Sequence, residues 1–286
     1  MEKYLSQIGG YLIHVFQSAF SQLFVLFGPL LILALLLNLS AGITSRLSVR
    51  FWGRNLFLYG FGWFGCSVHE LSHAFFALLF GHKIREIELF SPNSNGESLG
   101  HVSHSFNKRS IYQKTGNFFI GIGPLLAGGI VLFLITLILY HIDITEIFRF
   151  RISTAIFKNK LIFHQFVTDL WFGLNYCKGL VFGGTATVWW KSVLLIYILY
   201  STGSSMTLSK SDLNGALAGL VWLVIFVLIF NFLTLWSGDF GDKGVAFMVQ
   251  YISAFYFLLI LSFVANLLFI ILFFVLNLLK SIFIRR

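Results

Sequence analysis

The sequence predicts an all-α polytopic membrane protein of about six transmembrane helices, with a small β-hairpin inserted after the second. Three observations carry that prediction. Charged residues are only 11% of the chain and its mean hydropathy is +0.85, whereas a soluble domain is about a quarter charged. Apolar runs close to the ~20 residues that cross a bilayer recur along the whole length. A polar segment, residues 83–114, interrupts them once with turn chemistry at Ser91-Pro92-Asn93 and Asn95-Gly96.

In chain order the predicted spans are Gln22–Leu39, Leu56–Gly81, Asn117–Tyr140, Thr187–Tyr200, Leu213–Trp236 and Tyr251–Leu279. The first lacks a small-residue cleavage site after its apolar run and therefore reads as a retained span. The fourth is short and carries Lys191. Within the polar segment, 84–89 and 98–106 alternate partially and predict two strands around the turns. Residues 141–182 mix Arg149, Arg151, Lys158 and Lys160 with apolar residues, which suits an interfacial amphipathic helix or, equally, a solvated connector. No repeat, low-complexity linker or appended soluble domain is present, so 1–286 reads as one membrane-embedded domain.

The net charge of +9 is scattered through short loops. That distribution excludes a nucleic-acid interface and matches anionic lipid headgroups. Positive-inside counting gives no single orientation. Arg46, Arg50 and Arg54 favour a cytoplasmic first loop, while Lys280, Arg285 and Arg286 then fall on the other side. Cys66 and Cys177 are too few and too isolated for a disulfide framework; Cys66, three residues before His69, reads as a small packing residue.

His69-Glu70-Leu71-Ser72-His73 is an HExxH motif inside the second apolar run. Residues four apart share a helical face, so both imidazoles can reach one ion while Glu70 stands beside them as a base. Catalytic zinc takes three protein ligands as a rule, so a third must come from elsewhere. The candidates are Asp212 at the head of the fifth apolar run, Asp239 in a Gly-rich loop after it, and Asp169 in the polar connector. Each has a plain alternative, and for Asp212 it is helix capping, which Ser211 or Asp212 would serve. His82, His101 and His104 read as loop histidines outside the ligand set. His101 and His104 differ by an odd number and would face opposite sides of a strand.

These residues resemble the site-2 protease family of intramembrane zinc metalloproteases. The resemblance rests on His69 to Ala74, on Leu79-Phe80-Gly81 with the strand-like 83–90 that follows, and on Gly123-Pro124-Leu125 in the third span. Ala127 stands where the family often carries Asn. It covers roughly residues 56–130. The family's third ligand is the Asp of a Leu-Asp-Gly motif; here the nearest approximation is Asp212-Leu213-Asn214-Gly215. The resemblance thus implies a Zn2+ site of His69, His73 and Asp212, with Glu70 as general base. It also implies an activity, hydrolysis of peptide bonds in single-pass membrane-protein substrates, by a multi-pass protein of the cell membrane. The 98–106 strand, with Val102 and Ser103, is expected to hold the unwound substrate by backbone pairing. Two other readings compete: a metal-ion transporter with a helix-borne His/Glu site, and an inactive membrane scaffold of the same fold.

Overall fold

The computed structural model describes residues 2–92, 99–140, 168, 171, 175, 189–238 and 240–284. The chain runs through α1 (Glu2–Trp52), α2 (Arg54–Phe57), a π-helical turn (Leu58–Gly62), α3 (Trp63–Leu79), β1 (Lys83–Glu88), β2 (His101–Ser105), α4 (Ile111–Tyr140), α5 (Trp189–Ser205), α6 (Lys210–Thr234) and α7 (Phe240–Ile284). Among the described residues, four helical stretches are long and apolar enough to cross a membrane: Ser6–Trp52, Ile111–Tyr140, Lys210–Thr234 and Leu259–Phe283.

Six spans were expected, and four meet that length. The two short ones are α3, which carries the motif, and α5, each of 17 residues. The second apolar run is helical from its start to Leu79, but its first part is a short α-turn and a π-turn, and only Trp63–Leu79 is regular α-helix. Helix α1 is 51 residues long and runs past the predicted Gln22–Leu39 span at both ends. Hydropathy marks where lipid could be, not where hydrogen bonding ends.

Helix α1 lies along α7, and α4 lies between α3 and α6. The central core combines Leu30 and Leu37 of α1, Phe118, Ile122 and Leu125 of α4, Leu223 of α6 and Leu259 of α7. Outward faces carry exposed apolar side chains, such as Leu71, Phe75 and Leu78 on α3, the reverse of a soluble bundle and the pattern that suits a hydrocarbon solvent. Buried amides tie helices together. Gln22 and Asn231 exchange two hydrogen bonds of 3.0 and 2.7 Å between α1 and α6, and Asn277 donates to the Leu47 carbonyl oxygen across α7 and α1. The Lys191 ammonium, at the start of α5, donates to the Leu139 carbonyl oxygen of α4 at 2.7 Å, which gives its charge a polar partner.

Small residues set how closely the motif helix is held. A methyl group on Gly65 of α3 would overlap the Ser201 carbonyl and the Ser205 side chain of α5, and one on Gly121 of α4 would overlap the Asp212 backbone and Ala216 of α6. Without these contacts neither α5 nor α6 could bring its end to the motif.

Helix α3 stops at Gly81, whose φ of +70° is the left-handed conformation that closes a Schellman turn. Gly81 N–H donates to the Leu78 carbonyl and His82 N–H to that of Ala77. The chain then enters β1, which pairs antiparallel with β2 in the expected hairpin, Ile87 opposite Val102 and Ile84 opposite His104, with an irregularity at Arg85. The expected 98–106 strand is shorter, His101–Ser105. The 141–182 connector, Asp169, Asp239, Cys177 and Ser98 lie outside the residues on which the fold is described here, apart from isolated helical positions.

Candidate metal centre

The motif sits on the buried side of α3, where Glu70 and His73 are each 7% exposed. One helical turn stacks the two imidazoles, so that His69 Nε2 and His73 Nε2 are 3.2 Å apart. Asp212, from the start of α6, faces both, with Oδ1 3.4 Å from His73 Nε2 and Oδ2 3.9 Å from His69 Nε2. Among the described residues these three form the one cluster of His, Cys, Asp and Glu compact enough to hold a metal ion. On a tetrahedral zinc with bonds of about 2.0–2.1 Å, ligand atoms lie about 3.3 Å apart. The observed spacing is close to that.

Protonation makes the case sharper. His69 Nδ1 lies 3.0 Å from the Ser205 carbonyl oxygen, and His73 Nδ1 lies 2.8 Å from that of Ile120. A carbonyl oxygen only accepts, so both Nδ1 atoms carry the proton and each neutral imidazole presents a bare Nε2. Two nitrogen lone pairs and a carboxylate then converge with no donor among them. Like-signed lone pairs at this distance repel unless a cation lies between them, and a backbone carbonyl behind each His is how metal-ligating imidazoles are usually oriented. The donor set of two His and one Asp therefore fits zinc with a position left open.

Asp212 both faces the two histidines and takes part in the capping of α6. The N-cap of α6 is Ser209, not Ser211 or Asp212 as the sequence suggested; Ser209 Oγ accepts from Asp212 N–H and Asp212 Oδ2 accepts from Ser209 N–H at 2.8 Å. This reciprocal capping box freezes the carboxylate rotamer and leaves Oδ1 toward His73. Capping and ligation, posed as alternatives from the sequence, are compatible. Ser209→Ala removes the Oγ that accepts Asp212 N–H but keeps the backbone N–H that holds Oδ2; it is expected to cost about 1 kcal/mol of stability and to weaken zinc binding only by loosening the first turn of α6. Competition of the purified variant against a chelator checks this; unchanged zinc affinity would show that the cap does not position the ligand.

The three residues and Glu70 line a cleft of about 280 Å³, together with Gly100, His101, Val102, His104, Asn117, Ile120, Gly121, Ser209, Ser211 and Gly215. Gly100, His101, Val102 and His104 bring β2 and the residue before it to the cleft. A methyl on Gly100 would overlap Glu70 Cγ, so the strand packs directly on the acidic side chain. Of the two residues expected to hold substrate, Val102 lines the cleft and Ser103 falls on the alternate side of the strand. His101 is held between Glu86 at 3.4 Å and Glu88 at 3.3 Å, and His82 faces His104. None of these three histidines belongs to the His69–His73–Asp212 cluster. Sequence reasoning missed the Ser205 and Ile120 carbonyls, which any residue type could supply. It also missed the capping box, for which Ser209-x-x-Asp212 was the available signal.

No protein-family model, curated protein or solved structure matches the chain.

Proposed function

We propose that the chain is an intramembrane zinc metalloprotease that hydrolyses peptide bonds of membrane-protein substrates within or near the bilayer. One observation carries the reading: His69, His73 and Asp212 converge as three acceptors in a cleft that also holds the buried carboxyl group of Glu70. Four helices able to cross a membrane support a bilayer setting, with α2–α3 and α5 completing a six-span domain of the cell membrane.

His69, His73 and Asp212 would hold the ion. When bound, zinc supplies Lewis acidity, polarising a carbonyl and making water a better acid. Glu70 takes the proton from the attacking water and later delivers it to the leaving amine. Asn117, Ser209 and Ser211 give the cleft the polar lining that admits water into an otherwise apolar bundle. A helical substrate hides its carbonyls in its own hydrogen bonds, so the scissile segment must first be drawn out as an extended chain. The cleft face of β2 stands where such a chain would lie, against Glu70.

The test is to measure bound metal in the detergent-purified protein and incubate it with a panel of single-span membrane proteins. One equivalent of zinc with specific cleavage is expected; zinc without cleavage of any panel member would remove the peptidase reading.

A further inference from the structure

His82 and His104 form a hydrogen-bonded pair whose protonation is fixed by its surroundings. His82, next to the Gly81 turn and 3% exposed, has Nε2 2.8 Å from the Gln113 carbonyl oxygen. That oxygen can only accept, so His82 Nε2 bears the proton. Burial holds both imidazoles below the usual histidine range, and the two rings cannot both donate across one 3.0 Å contact, so the neutral forms apply at pH 7. Neutral His82 then has a bare Nδ1. It lies 3.0 Å from His104 Nδ1, and the proton in that contact must come from His104. The other nitrogen of His104, Nε2, is left as a bare acceptor. His104 lines the cleft together with Gly100, His101 and Val102.

We infer that His104 is a substrate-positioning residue: its Nε2 accepts a backbone N–H from the extended peptide lying in the cleft, and His82 sets the tautomer that makes this possible. The inference rests on the proposed peptidase reading and deepens it. An extended peptide offers N–H and C=O groups in alternation, so a fixed acceptor on the wall fixes the register in which the chain passes the metal ligands. It also discriminates: a peptide with proline or an N-methyl group at the facing position has no proton to give and leaves the acceptor unpaired.

Two measurements on the zinc-loaded, full-length protein test this. In histidine-labelled protein, nitrogen NMR is expected to show His104 protonated at Nδ1 and bare at Nε2. His82→Phe, which keeps a ring to stack on Phe106 but offers no acceptor, should release His104 into a mixture of tautomers. Calorimetry with a tetrapeptide hydroxamate and its N-methyl series is expected to show about a tenfold loss of affinity at one N-methyl position. That loss should vanish in His104→Leu, which binds the parent about tenfold more weakly, whereas His104→Gln, still an acceptor, should retain most of the affinity. A bare Nδ1 in the wild type, or the same N-methyl profile in His104→Leu, would overturn the inference while leaving the peptidase reading intact. A second zinc equivalent lost in His104→Leu would also overturn it, making the pair a metal site. A wild-type protein that loads zinc but binds no hydroxamate would sink the peptidase reading and this one with it.

Discussion

Glu70→Gln is expected to retain one equivalent of zinc and the fold while cleaving substrate about 10²- to 10⁴-fold more slowly, the usual cost of losing a general base. The amide matches the carboxylate in shape, so packing against Gly100 is undisturbed. It cannot take a proton from water. Glu70 is outside the His69–His73–Asp212 cluster, which is why rate and metal content should separate. Single-turnover cleavage and metal analysis on one preparation measure both; wild-type cleavage by Glu70→Gln would show that some other group removes the proton.

Asp212→Ala is expected to lose zinc altogether at concentrations that saturate the wild type. The two histidines alone leave the site one ligand short, and their Nε2 atoms lose the carboxylate that faces them at 3.4 and 3.9 Å. Because Asp212 also belongs to the capping box of α6, lost metal could reflect lost helix, so the variant must elute as a monodisperse folded species. Asp212→Asn supplies the control: its amide oxygen still accepts the Ser209 N–H, keeping the cap, but the ligand charge is gone. It should fold like the wild type and bind zinc weakly. His69→Ala and His73→Ala should behave as Asp212→Ala does, while Asp169→Ala and Asp239→Ala should bind normally. Zinc lost only from one of those last two would move the third ligand there.

The part of the site within one helical turn was legible in the sequence. Four-residue spacing puts His69 and His73 on one face of any helix, whatever the tertiary structure. Asp212 was not legible in that way. A carboxylate at a helix start has a sufficient local reason to be there, and only a resemblance singled it out from Asp169 and Asp239; the docking of α6 through Gly121 that brings it to the motif is a long-range contact with no local signature. The hairpin was visible from the partial alternation of its two strands; the turn residues Asn93, Asn95 and Gly96 lie outside the described residues. Alternation could not tell that His82, from the end of α3, meets His104. Span ends were the least legible feature. Arg46 and Arg50 lie beyond the predicted end at Leu39 yet inside α1, because long charged side chains are good helix formers.

Reconstitution into liposomes, with zinc and a cleavable single-span protein supplied together, tests the central claim most directly, since hydrolysis and metal transport are read on the same vesicles. The expected result is cleavage mapped by mass spectrometry to the substrate's apolar segment, abolished by a chelator, restored by zinc, and absent in Glu70→Gln, with no zinc crossing the bilayer. Zinc accumulating inside the vesicles while the substrate stays intact would contradict the account and make the His69–His73–Asp212 cluster a transport site.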